Sequence, residues 1–142
     1  MTELKQRRIL YTAEDLAEKV KEIGRKISQD YAGKDLIVVG VLKGSLYFFA
    51  DLTRAIDIPI GTDVIAIGNI QNTTSQTGIV RITKDLDLDI TGKHVLVIED
   101  IIRTGLTTAY LVQNLDVRKP ASIKVCTLLF NPDQMLINVP IE

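Results

Sequence analysis

The sequence predicts an α/β fold of three layers, in which a mainly parallel sheet is flanked by helices. Short runs of apolar and β-branched residues alternate along the chain with segments of helical periodicity. Apolar runs without polar interruption are typical of strands buried on both faces of a parallel sheet. Strands that alternate with helices favour a parallel sheet over an all-β or all-α arrangement. The length of 142 residues suits one domain over residues 1–142.

The first helix is predicted by apolar residues at intervals of three and four over residues 12–31. These residues are Leu16, Val20, Ile23, Ile27 and Tyr31. Thr12 and Asp15 are three positions apart at the start of this segment, which resembles a capping box. We therefore expect an amphipathic helix that begins after Thr12.

The remaining elements follow in alternation. Buried strands are predicted over residues 36–41, 64–67, 95–98 and 123–130, helices over 45–56 and 104–115, and shorter strands over 79–83 and 136–139. Ser45 is a candidate cap for the helix that follows it. Residues 68–78 are polar and rich in Asn, Thr and Gln, and they predict a long loop.

The composition argues against several classes of protein. Apolar residues make up 46% and charged residues 25% of the chain, which is typical of a globular protein. Lys and Arg number 17 and Asp and Glu number 18, a balance that argues against binding of nucleic acid. No apolar run is long enough for a membrane span, and none follows the basic N-terminal residues as in a signal peptide. We expect a soluble, cytoplasmic protein.

Several residues have plain structural interpretations. One cysteine, Cys126, and one histidine, His94, cannot form an internal disulfide or a zinc site with the usual ligand count. We expect Cys126 to fill the core and His94 to be a partly exposed structural residue. Residues 47–49, Tyr-Phe-Phe, are expected to pack in the core, with a subunit contact as the alternative. The acidic residues 85–89 are expected to form a solvated connection.

The segment after the first predicted strand suits an anion site. Ligands of parallel sheets bind outside the carboxyl ends of the strands. Leu42, Lys43, Gly44 and Ser45 occupy this place. Glycine allows close backbone approach, and a helix start offers free N–H groups. Taken alone, this segment is explained at least as well by an ordinary turn with a solvated lysine.

The segment after residues 95–98 is more specific. Glu99 and Asp100 end a buried apolar strand, where carboxylates are costly unless they bind cations, hydroxyls or a metal. Thr104, Gly105 and Thr107 then supply hydroxyls and N–H groups where a helix begins. Carboxylates beside such a cradle suit a sugar phosphate. The plainer alternative is a strand that leads into a capped helix.

These segments resemble a known family. VLVIEDIIRTGLT at residues 95–107 closely resembles the phosphoribosyl diphosphate (PRPP) signature of type I phosphoribosyltransferases. VLKGS at 41–45 and TGIVRITKDLD at 77–87 are similar to the hypoxanthine–guanine branch of that family. The resemblance implies a purine-salvage glycosyltransferase that joins PRPP and a 6-oxopurine, with Mg²⁺, and releases pyrophosphate. It also implies a separate hood over the purine and a homodimer or larger assembly.

The resemblance implies a role for each matching residue. Leu42, Lys43, Gly44 and Ser45 would form a pyrophosphate loop with a non-proline cis peptide between Leu42 and Lys43. Glu99 and Asp100 would hold the ribose hydroxyls, directly or through Mg²⁺. Thr104, Gly105, Leu106 and Thr107 would bind the 5′-phosphate.

Four departures from the family affect the purine side. Arg103 stands where the family has an aspartate that accepts a proton from the purine, and arginine cannot act as that base. Ile70 follows Asn69 where a mobile loop has a Ser-Tyr pair, and Asn131 replaces a lysine that contacts the purine oxygen. The family also continues past the position of Glu142, so we expect the hood to be absent or incomplete.

Three functions therefore stay open from the sequence. The first is a hypoxanthine–guanine phosphoribosyltransferase with weak or lost activity. The second is a non-catalytic module that binds PRPP or a nucleotide, and the third is a vestigial α/β scaffold. Arg103 itself has two candidate partners, a phosphate of the ligand or a neighbouring carboxylate.

Overall fold

The computed structural model describes residues 7–70 and 79–141. Its elements are α1 (Ala13–Asp30), β1 (Leu36–Leu42), α2 (Leu46–Ala55), β2 (Gly61–Ile70), β3 (Ile79–Lys84), β4 (His94–Ile102), α3 (Leu106–Asp116), β5 (Ser122–Phe130) and a short 3₁₀ helix, Pro132–Gln134. The strands form one sheet in the order β3-β2-β1-β4-β5. All neighbouring pairs are parallel except β2 and β3, which are antiparallel. The mainly parallel sheet with flanking helices is thus confirmed.

The first helix begins as its sequence predicts. The Asp15 N–H donates to Thr12 Oγ1 at 3.1 Å, and the Thr12 N–H donates to Asp15 Oδ2 at 3.0 Å, which completes the capping box. The helix ends at Asp30, and the Tyr31 N–H still donates to the Ile27 carbonyl. Ile27 and Tyr31 are buried against the sheet, so the apolar face of α1 forms part of the core.

The two faces of the sheet have separate cores. Along β4, Val95 and Val97 face the cluster that contains Leu111 and Leu115 of α3. The alternate residues Leu96 and Ile98 face the cluster that contains residues of α1 and α2. Because side chains alternate along a strand, the two carboxylates that follow Ile98 point to opposite faces of the sheet.

Two strands are longer than the sequence predicts, and one predicted strand is absent. β2 continues to Ile70, through residues expected to form a loop, because β3 pairs with it at Gly68↔Arg81 and Ile70↔Ile79. β4 continues to Ile102 because β5 pairs with it as far as Phe130. Residues 136–139 form no strand. Only Ile141 bridges to β5, at Val125. The rest of the expected loop, residues 71–78, lies outside the described residues.

The prediction that the Ser45 side chain caps α2 is wrong. Its side chain makes no capping hydrogen bond to α2. The hydroxyl instead donates to the Val41 carbonyl at 2.6 Å, and the residue is fully buried. In the described part of the chain, no helix combines the length and the hydropathy that a membrane span requires.

Candidate functional site

The site begins where two neighbouring strands end. β1 and β4 pair in parallel from Leu36↔His94 to Gly40↔Ile98, so the segments that follow them lie side by side. A β-carbon at Gly44 would lie 3.1 Å from Asp100 Oδ1 and 3.3 Å from Oδ2. Glycine therefore lets the turn after β1 lie directly against the Asp100 carboxylate. The structure brings together two segments that are far apart in the sequence.

The turn after β1 is held by its own backbone. The Leu42–Lys43 peptide bond is cis, as the resemblance implies. The Ser45 N–H donates to the Val41 carbonyl at 3.3 Å, beside the bond from the Ser45 hydroxyl. The Leu46 N–H donates to the Lys43 carbonyl at 3.1 Å. The Lys43 side chain is exposed, so it is accessible to an anion, whereas the Ser45 hydroxyl is already engaged.

A cavity of about 310 Å³ lies on the other face of β4, at the start of α3. Its lining combines the end of β4 with the first turn of α3, and consists of Glu99, Ile101, Ile102, Arg103, Thr104, Gly105, Thr107 and Thr108. The N–H groups of a first helical turn have no acceptors within the helix. With the hydroxyls of Thr104 and Thr107, they make the floor of this cavity suitable for a phosphate.

Gly105 is required by the shape of this loop. Its φ is +80°, a left-handed conformation that disfavours other residues. A β-carbon there would also lie 2.9 Å from Met135 Cε. The Leu136 N–H donates to the Thr104 carbonyl at 2.9 Å, so the segment after β5 packs on the loop and holds it.

The charge of Glu99 is disfavoured in this cavity. Burial, and to a smaller extent the negative charge of Asp100, together raise the pKa of Glu99 to about 7. The two carboxylates therefore lie close enough to interact although they point to opposite faces. Near neutral pH a substantial fraction of Glu99 is protonated until a cation or a set of hydroxyl donors stabilises the carboxylate.

The purine-side residues are less tightly organised. Arg103 lines the cavity with an exposed side chain. Asn131 lies outside the lining of the cavity, and its side-chain oxygen accepts a hydrogen bond from the Asp133 N–H at 3.0 Å. Asn69 and Ile70 belong to the end of β2, and their side chains lie outside the described residues.

The donor set fits a metal ion that arrives with a ligand. Within residues 7–70 and 79–141, no group of three or more His, Cys, Asp or Glu side chains could hold a metal alone. Mg²⁺ commonly takes one or two protein carboxylates and completes its shell with water and substrate phosphates. Glu99 and Asp100 lie on opposite faces of β4, so each can supply one such carboxylate to a metal ion that a ligand brings with it.

Sequence reasoning missed one residue of the cavity lining and one neighbour of the loop. Thr108 is buried in the lining, within the first turn of α3. Its place directly after Thr107 at a predicted helix start could have identified it. Met135 packs against Gly105, and no local pattern in the sequence indicates this contact.

The structure agrees with most of the residues that were predicted to have purely structural roles. His94 Nδ1 lies 2.7 Å from Ser122 Oγ at the opposite end of β4, and Cys126 is buried in the core. Phe48 is also buried, but Tyr47 is 83% exposed, so the core interpretation is wrong for Tyr47. Asp85 forms a salt bridge with Arg118 at 2.8 Å, so the acidic connection is anchored as well as solvated.

Comparisons with known proteins agree with this geometry. The Phosphoribosyl transferase domain matches residues 7–136. A hypoxanthine-guanine phosphoribosyltransferase of Mycobacterium tuberculosis is 43% identical over 139 residues, covering 94% of this chain and 69% of the relative. The chain belongs to the phosphoribosyltransferase family.

Further relatives place it in the purine branch of the family. A hypoxanthine-guanine phosphoribosyltransferase of Streptococcus agalactiae is 41% identical over 133 residues, covering 94% of this chain and 74% of the relative. A crystal structure of a hypoxanthine-guanine phosphoribosyltransferase from Bacillus anthracis superposes with a TM-score of 0.86 at 41% identity, covering 94% of this chain and 78% of that one. The family and the fold expected from the sequence are thus confirmed.

Proposed function

We propose that this chain binds PRPP at the carboxyl ends of β1 and β4 and transfers its phosphoribosyl group to neutral 6-oxopurines only weakly. The main support is the packing of the Gly44 turn against Asp100, with the α3 cavity on the other face of the same strand end. This arrangement offers separate places for the pyrophosphate, the ribose and the 5′-phosphate of one ligand.

Each part of PRPP has chemically suitable partners. The exposed Lys43 and the backbone of the turn from Leu42 to Ser45 would bind the pyrophosphate. Glu99 and Asp100 would hold the ribose hydroxyls. The 5′-phosphate would lie at the α3 start, held by Thr104, Gly105, Leu106 and Thr107 through backbone N–H groups and two hydroxyls. The Leu106 side chain is apolar, so its contribution would be that of its backbone N–H, which donates to Thr104 Oγ1 at 3.4 Å.

Mg²⁺ fits this proposal through the two adjacent carboxylates. When bound, it would offset the charge of the pyrophosphate and stabilise that group as it departs. Glu99 must lose its proton to take part, and Asp100 lies beside the Gly44 turn where the pyrophosphate would be held. The chain's own contribution is to position ribose and pyrophosphate on either side of one strand end.

The acceptor side is the weak part of the proposed reaction. Arg103 and Glu99 are the ionisable residues in the lining of the cavity. Arg103 stays protonated and cannot accept a proton. Loss of a general base typically lowers the rate by about 10²–10⁴-fold. We therefore propose slow transfer to hypoxanthine and guanine.

A non-catalytic module that binds PRPP or a nucleotide is the second candidate. Arg103 favours it, because every residue proposed for ribose and phosphate is kept while the base is replaced. We also propose one domain over residues 1–142, a cytoplasmic location, and a homodimer or larger assembly. The exposed Tyr47 on α2 supports such association.

Calorimetric titration of PRPP in the presence of Mg²⁺ tests the binding site. We expect Asp100→Asn to weaken Mg²⁺-dependent PRPP binding by about tenfold or more, the effect of losing one charged contact. Asp57→Asn is the matched control, since Asp57 is an exposed aspartate outside the cavity. Equal PRPP affinity in the two variants would refute the assignment of Asp100. Absence of PRPP binding in the parent protein would refute the proposed function and favour the vestigial α/β scaffold.

A further inference from the structure

Arg103 holds a positive charge at the rim of the cavity that the proposed transfer to a neutral purine does not use. Its side chain is exposed and forms neither an ion pair nor a hydrogen bond with the residues the structure describes. Two other arginines, Arg118 and Arg54, have acidic partners in Asp85 and Asp51. A guanidinium directed into a ligand cavity without such a partner is suited to an anion of the ligand.

The structure argues against the first candidate partner, a neighbouring carboxylate. Glu99 is the acidic residue in the same lining. Among the described residues, neither a salt bridge nor a hydrogen bond joins the Arg103 guanidinium to the Glu99 carboxylate, so this carboxylate does not engage Arg103.

The second candidate partner, a phosphate of the ligand, already has a place elsewhere in the cavity. The floor at the α3 start already offers N–H groups and the hydroxyls of Thr104 and Thr107 to a phosphate. Arg103 and Ile101, which we call the rim, are exposed residues of the same lining, and the Ile101 side chain is 50% exposed. An apolar side chain beside a planar guanidinium suits a flat ring that bears negative charge. The rim is thus better matched to an anionic heterocycle than to a second phosphate.

We propose that Arg103 selects an anionic heterocycle as the group that occupies the acceptor side of this cavity. This inference rests on the proposed PRPP site. A ring nitrogen of the anion would form the bond to ribose C1′ with its own electron pair. The bond between C1′ and pyrophosphate would break, and pyrophosphate would leave with that electron pair. The acceptor arrives without the proton, so no protein base is needed.

Binding of two nucleotides separates this inference from the proposed function. Inosine 5′-monophosphate has a neutral ring at neutral pH, whereas xanthosine 5′-monophosphate has a largely anionic one. Both share ribose and 5′-phosphate, so their common affinity reports the phosphate and ribose site. We expect xanthosine 5′-monophosphate to bind about tenfold more tightly, the effect of one charge-assisted contact.

Variants assign the preference to Arg103. Arg103→Gln should abolish the preference and leave the affinity for inosine 5′-monophosphate unchanged, and Arg103→Lys should keep part of it. Arg25→Gln, at an exposed arginine of α1 outside the cavity, is the control and should change neither affinity.

Each contrary result has a distinct meaning. Equal binding of the two nucleotides by the parent protein overturns this inference and leaves the proposed function standing. Equal weakening of both nucleotides in Arg103→Gln places Arg103 at the phosphate and also overturns it. Failure of both nucleotides to bind refutes the proposed site itself.

Discussion

The two sides of the proposed site are built in different ways. The proposed phosphate side depends on backbone geometry: a turn packed against Asp100, a left-handed Gly105 and the first turn of α3. The acceptor side depends on single side chains, and there Arg103 is exposed while Asn131 caps a short 3₁₀ helix. Backbone features persist as long as the fold does, whereas side-chain chemistry changes with one substitution. On this proposal, single substitutions can alter the acceptor side while the fold keeps the phosphate side.

The largest expected effect comes from restoring a base on the acceptor side. Arg103→Asp should raise the rate of nucleotide formation from hypoxanthine by about 10²-fold or more, because it supplies a proton acceptor. PRPP affinity should change little, since the phosphate side is untouched. Pyrophosphate release and calorimetry measure the two quantities.

Arg103→Asn is the control for Arg103→Asp, because it removes the guanidinium without supplying a base. If both variants accelerate transfer equally, the arginine itself obstructs the reaction. If neither does, some other feature of the acceptor side limits it, and the contrast between the two sides loses its main support.

The next effect concerns the stability of the phosphate side and its pH dependence. The pKa of Glu99 rises from 4.5 to about 7 on folding, so the folded protein binds more protons than the unfolded chain between these values. The free energy of unfolding therefore falls as pH rises through this range and stays lower above it. Glutamine cannot ionise, so Glu99→Gln should be more stable than the parent by up to about 3 kcal/mol at alkaline pH.

Urea unfolding of Glu99→Gln and its parent, in acid and in alkaline buffer, measures this difference. The two proteins should have similar stability in acid, where Glu99 is protonated in both states. A stability difference that does not change with pH would show that the carboxylate is solvated, and would contradict the buried site described for it.

The smallest expected effect tests how the α3 loop is held. Gly105 and Gly33 both have positive φ, at +80° and +74°. A β-carbon added at Gly105 would contact Met135, whereas one added at Gly33 would have no neighbour within 4 Å. Gly33→Ala should cost about 1–2 kcal/mol from backbone conformation alone. Gly105→Ala should cost up to about 1 kcal/mol more, because the new β-carbon also lies 3.3 Å from the Ile137 carbonyl oxygen and displaces the end of Met135.

PRPP affinity sharpens the test of Gly105. We expect Gly105→Ala to weaken PRPP binding and Gly33→Ala to leave it unchanged, with stability measured in parallel by urea unfolding. Equal losses of stability and unchanged PRPP affinity in both variants would show that the loop tolerates displacement from Met135.

Local patterns in the sequence were enough for most of the fold. The capping box at Thr12 and the apolar runs of β1 and β4 are signals contained within a few residues, and the structure agrees with them. The extension of β2 to Ile70 was not predictable in this way, because its hydrogen bonds come from β3. A polar strand of this kind is stabilised by its partner rather than by its own composition.

The same distinction between local patterns and long-range contacts applies to the candidate site. Glu99, Asp100 and the α3 start were identifiable from adjacent residues. The contact of Gly44 with Asp100 and the packing of Met135 on Gly105 join distant parts of the chain, and the raised pKa of Glu99 depends on its burial. These features exist only after folding, so no local pattern could report them.

The most direct test is to titrate the parent protein with PRPP and Mg²⁺ and then add hypoxanthine to the same cell while pyrophosphate is measured. We expect micromolar PRPP binding followed by very slow pyrophosphate release, because the phosphate side is intact and the acceptor side lacks a base. Rapid release of pyrophosphate would contradict the account of Arg103, and absence of PRPP binding would contradict the account of the phosphate side.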